Sequence, residues 1–220
     1  MKAYQFSPAE VWKALPYLTE GAALTVGISF LAMLCGLLLG LALALASQLR
    51  ARPASWAVTA YVEAFRNTPL LIQIFLIYFG LPTVLPVKLP AFASGILALT
   101  LYSAAYNAEV FRAGLEAVPF GQREAARAIG LSTWQEARYV VTPQALRIAF
   151  PALGNNLVSL VKNSSLVSVI GMTELMFVAN DISFNNFRSF EVYGAAAVYY
   201  VILILVLSRG LAWVERRVLA

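Results

Sequence analysis

Long apolar stretches alternate with short, arginine-bearing connections along this chain. Crossing the hydrocarbon of a bilayer takes about 20 apolar residues in a helix. Five stretches meet that length and predict spans over about 21–46, 64–87, 89–110, 148–172 and 192–213. They form one membrane domain over 1–220, with a core of about 20–214. The first stretch holds no charged residue, and it ends in Ala42-Leu43-Ala44-Leu45-Ala46, which imitates a signal-peptide cleavage site. A signal core is only about 7–15 residues, so this stretch is read as a retained helix. The second follows an amphipathic lead-in at 57–66, and the fourth is broken only by Lys162.

Composition agrees with bilayer as the solvent. Of 220 residues, 60% are hydrophobic and 12% charged, and the mean hydropathy is +0.75. A soluble domain carries about twice that share of charge. The net charge of +5 could suggest nucleic acid. The basic residues, however, lie between apolar runs, where membrane topology explains them. One set of connections carries Arg50, Arg52, Arg66, Arg112, Arg123, Arg127, Arg138, Arg147, Arg209, Arg216 and Arg217. The other carries only Lys2, Lys13, Lys88 and Arg188. The positive-inside rule therefore predicts an outside N-terminus and a cytoplasmic C-terminus. There is no histidine, and Cys35 is the only cysteine, so no catalytic triad, metal site or cofactor is expected.

The connection over 113–147 is the largest on the arginine-rich side. Pro119 suits a first helical position, 120–129 reads as a short helix, and Gly130 suits the left-handed residue after it. Thr133 and Glu136 are spaced as a capping box for a second short helix, which Pro143 is expected to end. The first helix presents Glu124-Ala125-Ala126 with Arg123 and Arg127 on a neighbouring face. Alanines permit close approach of another surface, and a carboxylate near a helix N-terminus is favoured by the helix dipole. Such a hairpin fits docking to a cytosolic partner; an ordinary solvated hairpin would carry the same local signals.

Within the spans, polar side chains are the informative ones. At 100° per residue, Asn155, Ser159, Lys162 and Asn163 share an arc of the fourth span, with Asn156 at its edge. Lipid disfavours such an arc, so it should face a cavity or another helix. Lys162 needs an anion, carbonyls or water, and Glu174 is a candidate partner, as is a substrate carboxylate. Arg66, Thr68 and Gln73 add polarity to the second span, where Arg66 either meets substrate or anchors the helix near headgroups. Glu109 and Arg112 are spaced for an internal ion pair.

The segment Glu124-Ala125-Ala126-Arg127-Ala128-Ile129-Gly130, continuing through Val140 to Pro143, resembles the EAA loop of ABC-transporter permeases. That pattern is EAA, three residues, Gly, nine residues, Ile, one residue, Leu-Pro. Here Val140 replaces the Ile and Thr142 the Leu, with the spacing intact. Phe65-Arg66-Asn67-Thr68-Pro69-Leu70-Leu71, Tyr106-Asn107-Ala108-Glu109-Val110-Phe111-Arg112 and Lys162-Asn163-Ser164-Ser165-Leu166 resemble the polar amino-acid permease subfamily.

The resemblance implies the all-α type I importer membrane fold, in the inner membrane of a bacterium. It implies a coupling helix seated on a separate P-loop ATPase subunit, a periplasmic or extracellular amino-acid-binding protein, and a second permease, identical or different. The chain contains no GxxxxGK[ST] loop, in keeping with ATP hydrolysis elsewhere. The resemblance also implies an amino-acid substrate. With no acid among Asn155, Asn156, Ser159 and Asn163, the polar arc favours glutamate, aspartate, glutamine or asparagine. A secondary transporter or channel, and a non-transporting membrane scaffold, are the alternative readings.

Overall fold

The computed structural model describes residues 4–48 and 52–219. Lys2 and Arg50, which entered the charge count, lie outside them, as does the side chain of Arg52. Ten α-helices follow one another with no strand among the described residues. They are α1 (Pro8–Ser47), α2 (Arg52–Asn67), α3 (Leu70–Phe75), α4 (Leu81–Val84), α5 (Ala91–Glu116), α6 (Phe120–Ala128), α7 (Thr133–Gln135), α8 (Thr142–Asn163), α9 (Leu175–Asn186) and α10 (Ser189–Leu219).

The first helix starts well before residue 21. Pro8 occupies its first positions and Glu10 its first turn, both favourable at a helix start. Ala14 and Leu18 are buried against Leu175 and Ala179 of α9 and Val192 of α10. This packing holds a stretch that hydropathy alone places outside the span.

The expected second span is two pieces. Pro53–Asn67 and Leu70–Val84 meet at 110°. Thr68 precedes Pro69, a position that disfavours helix, and Pro69 has an extended ψ of 134°. Gln73 repairs the break: its Nε2 donates to the Phe65 carbonyl at 2.8 Å and to the Thr68 carbonyl and Oγ1 at 3.1 and 3.0 Å.

Two wide π turns, Leu76–Gly80 and Glu136–Val141, share one cause. Each stands just before a proline, Pro82 or Pro143. Proline has no N–H and its ring crowds the carbonyl four residues back; a turn with one extra residue accommodates both defects. Pro143 accordingly does not end a helix. It lies in the first turn of α8, and Thr133–Ile170 runs on as one helical rod. The capping box is also one residue earlier than expected: Ser132 accepts from the Gln135 N–H and Gln135 accepts from the Ser132 N–H.

Beyond α8 the rod tightens into a 3₁₀ segment, Ser164–Ile170, and stops at Gly171, whose φ is +80°. The chain then turns by 48° into α9.

At the centre, α5 packs along α1. A Cβ on Gly36 would lie 2.6 Å from Ser103 Oγ, and one on Gly40 would lie 2.8 Å from Asn107 Cβ. Glycines four apart thus let two backbones approach closely, as in membrane helix pairs. Ile28, Ala32, Leu70, Ile74, Ala98, Leu99, Leu157 and Leu160 fill the core around this contact.

The outside is apolar. Leu31, Leu34, Leu38 and Leu45 of α1 and Val198, Val201, Leu205 and Val206 of α10 are exposed. Water would not tolerate so large an apolar patch. Helices α1 and α10 are each long and apolar enough to cross a membrane, and so is each bent pair taken together. Helix α5 is long enough too, but Ser94, Ser103 and Asn107 dilute its apolar character on its buried side.

Candidate functional site

Two features could carry function: the hairpin over α6 and α7, and a polar track within the helices.

The hairpin is held at three points. Arg123 Nη2 donates to the Leu115 carbonyl at 2.8 Å, which ties α6 to the end of α5. Ala126 is buried, and Val118, Val141 and Ala145 pack into one small cluster at the hairpin's base. Arg127 grips Glu136 through Nε–Oε2 at 2.7 Å and Nη2–Oε1 at 3.3 Å. That guanidinium, by its hydrogen bonds, holds the Glu136 carboxyl below the ordinary carboxylate range; burial opposes the shift and the Arg123 charge reinforces it. Gly130, at φ +83°, closes α6: its N–H donates to the Arg127 carbonyl and the Leu131 N–H to the Ala126 carbonyl. This is the six-to-one closure that needs a left-handed residue.

The exposed residues of this segment include Glu124, Ala125, Arg127 and Ala128, with Phe120 and Ile129 flanking them. Glu124 makes no hydrogen bond or ion pair among the described residues. The hairpin therefore offers a small-residue surface with one free carboxylate and two large apolar side chains at its rim.

The track runs along one face of α5. Arg66, at the end of α2, lies 5.5 Å from the centroid of the Tyr106 ring and 3.8 Å from Glu109 Oε1. Tyr106 and Tyr102, one turn apart, have centroids 4.6 Å apart. Tyr102 Oη accepts from Asn163 Nδ2 of α8 at 3.2 Å. Arg112 closes the lower end, bound to Glu109 at 2.5 Å and Glu116 at 2.7 Å. Arg66 of the second expected span and Asn163 of the fourth thus meet through two tyrosines of the third. Residue-by-residue reading missed those tyrosines as site candidates, although their spacing of four, one turn above Glu109, was visible.

The expected arc on α8 is divided. Asn156 Nδ2 donates to Asn107 Oδ1 at 3.1 Å, and Asn107 Nδ2 donates to Ser103 Oγ at 3.1 Å, so Asn156 faces inward with Asn163. Asn155 opens on the other side, into a cleft of about 200 Å³ with Ser208 and Glu215 of α10. Ser159 is half-buried and Lys162 exposed. Thr68 donates to the Ala64 carbonyl at 2.7 Å, and Gln73 serves the helix break.

The expected Lys162–Glu174 pair does not form. Glu174 is buried and caps α9, accepting from the Phe177 N–H at 2.7 Å. It also accepts from Tyr200 Oη at 3.0 Å and Thr25 Oγ1 at 3.3 Å. A capping carboxylate at the head of α9 is already occupied by three helices, α1, α9 and α10.

Broken helices with an apolar exterior, an exposed hairpin surface and a polar track along α5 fit a membrane transport component. The chain belongs to the family described as "Binding-protein-dependent transport system inner membrane component", whose model matches residues 32–220. It is 38% identical over 214 residues to the glutamine transport system permease protein GlnP of Escherichia coli strain K12, covering 97% of this chain and 98% of that one. It is 36% identical over 203 residues to the arginine transport system permease protein ArtQ of Bacillus subtilis strain 168, covering 92% and 93%. Among solved structures, one described as an amino acid ABC transporter with histidines aligns at a TM-score of 0.92 and 39% identity, covering 97% of this chain and 100% of that one. A structure of the inward-facing MetNI methionine ABC transporter aligns at 0.77 and 23% identity, which speaks to the fold alone. The chain is thus an all-α ABC permease of the inner-membrane class, and ATP hydrolysis lies in a partner subunit.

Proposed function

We propose that this chain forms the translocation pathway of an ATP-driven importer of polar amino acids. Glutamate, aspartate, glutamine and asparagine are its favoured substrates, and glutamine stands first among them. The observation that carries this reading is mechanical. The exposed EAA surface, Glu124 to Gly130, is bonded to the same rod that carries Asn156 and Asn163 into the polar track. A docking surface and a pathway are therefore joined by one helix.

In this reading a P-loop ATPase docks on Glu124, Ala125, Arg127 and Gly130; Ala126, expected to share that surface, is 3% exposed and packs inward instead. An amino-acid-binding protein delivers substrate at the opposite end, and a second permease closes the half-exposed face of α5. The N-terminus lies outside and the C-terminus in the cytoplasm. The track is lined by amides, phenol hydroxyls and an Arg66–Glu109 pair. It offers donors and acceptors without uncompensated negative charge, which suits an amide or acidic side chain over a cationic one. Relatives named for glutamine support the amide choice.

The test is uptake into proteoliposomes containing the chain, its ATPase and its binding protein. Glutamine uptake that requires ATP and all three components is expected. Uptake that persists without the ATPase points to a secondary transporter instead, and binding of the ATPase without any uptake points to a scaffold.

A further inference from the structure

Glu136 is the one acidic side chain of the hairpin that is shut away from solvent. It is 4% exposed, whereas Glu116 and Glu124, earlier in the same connection, are open. A buried carboxylate demands a partner, and Arg127 is its only hydrogen-bond donor among the described residues. The guanidinium meets both carboxylate oxygens, a fork geometry that fixes orientation as well as distance.

The two partners sit on different bodies. Arg127 rides on α6, with the exposed EAA surface. Glu136 opens the π turn that continues without a break through α8. From Glu136 to Asn156 is twenty residues of helix, about 30 Å at 1.5 Å per residue. The other attachment of α6, from Arg123 to the Leu115 carbonyl, leads to α5. One ion pair is therefore the only charged link between the hairpin surface and the rod that reaches the track, among the described residues.

We propose that Glu136 is the positioning residue through which displacement of the α6 surface is passed to α8. Pulling on α6 pulls, through Arg127, on the first residue of a turn already one residue over-long. Single π turns within a helix are frequent at functional sites. The movement then reaches Asn156 and Asn163 through the rod. Glu136 does not touch substrate, and it meets the docking surface only from beneath, through Arg127. The inference rests on the proposed function, since it needs an ATPase seated on α6.

The experiment uses the assembled transporter in proteoliposomes, with E136Q beside the unaltered chain. Three quantities are read: the ATPase subunit captured, ATP hydrolysed, and glutamine taken up. E136Q is expected to keep capture and to lower uptake per ATP by about two- to thirtyfold, the range of single-residue coupling effects. An unchanged uptake-to-ATP ratio overturns the proposal. So does loss of capture in step with uptake, because Glu136 then only shapes the hairpin. If E136Q does not assemble, E136D keeps the charge on a shorter arm. An intermediate ratio is then expected, and a wild-type ratio overturns the proposal. Failure of the unaltered chain to capture any ATPase would instead strike the proposed function.

Discussion

Asn156 of α8 donates its amide hydrogen to Asn107 of α5 at 3.1 Å, and Asn107 is fully buried. Asn107 passes the chain on to Ser103 Oγ at 3.1 Å, beside the α1 contact. Two amides and a hydroxyl thus join the rod to the central helix where hydrocarbon offers no alternative partner. Asn107→Ala leaves the Asn156 amide without its partner, while Ser103 Oγ keeps its contact with Met33 Sδ at 3.5 Å. Hydrogen bonds inside membrane proteins contribute about 0.6 kcal/mol on average and up to about 1.7. A loss of about 1 kcal/mol is expected, seen as a lowered Tm of the purified chain in detergent. No change in Tm would show that the network is not cohesive.

Gly40 faces the same residue from the other side. A Cβ there would meet Asn107 Cβ at 2.8 Å and the Ala104 carbonyl oxygen at 2.9 Å, the latter being backbone that cannot step aside. Gly40→Val should destabilise by about 1–3 kcal/mol, as overpacking does. Gly121→Ala, where a new Cβ meets nothing within 4 Å, is the neutral comparison. Equal melting of the two variants would contradict close packing of α1 on α5.

The apolar character of α1 and α10 was legible because apolar length is physical and local. So was the hairpin, where Gly130 and the EAA pattern state their own geometry. Less local features were not. The break at Thr68–Pro69 needed Gln73 to close it, and that choice is made by the fold. Pro143 read as a stop because sequence rules treat proline as a helix breaker; the π turn before it absorbs the defect. Ser132 won the capping position over Thr133 because Gln135, three residues on, reaches back to it. In the sequence Glu174 is one candidate partner for Lys162, beside a substrate carboxylate. The fold instead gave it α9's exposed N–H groups, Tyr200 and Thr25. Tyr102 and Tyr106 carry no site signal of their own; α2 and α8 bring Arg66 and Asn163 to them.

Tyr102 tests the track. Tyr102→Phe removes the hydroxyl that receives Asn163 and keeps the ring against Tyr106. Glutamine uptake should show a KM raised several-fold, with ATPase capture unaltered. Asn163→Asp should shift preference toward basic amino acids in competition assays. Unchanged selectivity in both variants would remove these residues from the pathway.

The hairpin should respond to acid in one direction. Arg127 keeps the Glu136 carboxyl below its ordinary range. A depressed folded value means that the stabilisation is present above the unfolded value, about 4.3. It is lost as pH falls through the folded value. Between about pH 8 and 5 the hairpin should therefore be unchanged, loosening only below about pH 4. Trp134 emission reports it, in a chain with Trp12, Trp56 and Trp213 replaced by Phe. A transition near neutral pH would contradict the ion pair, and E136Q should abolish the acid step.

The most direct measurement concerns Glu124, the free carboxylate of the docking surface. Wild-type chain and E124R are reconstituted with the ATPase and the binding protein, and ATP-driven glutamine uptake is measured with ATPase capture. The account predicts robust uptake for the wild type, and for E124R a parallel loss of capture and uptake while the chain stays folded. Equal uptake by both, or uptake by either without the ATPase, would contradict it.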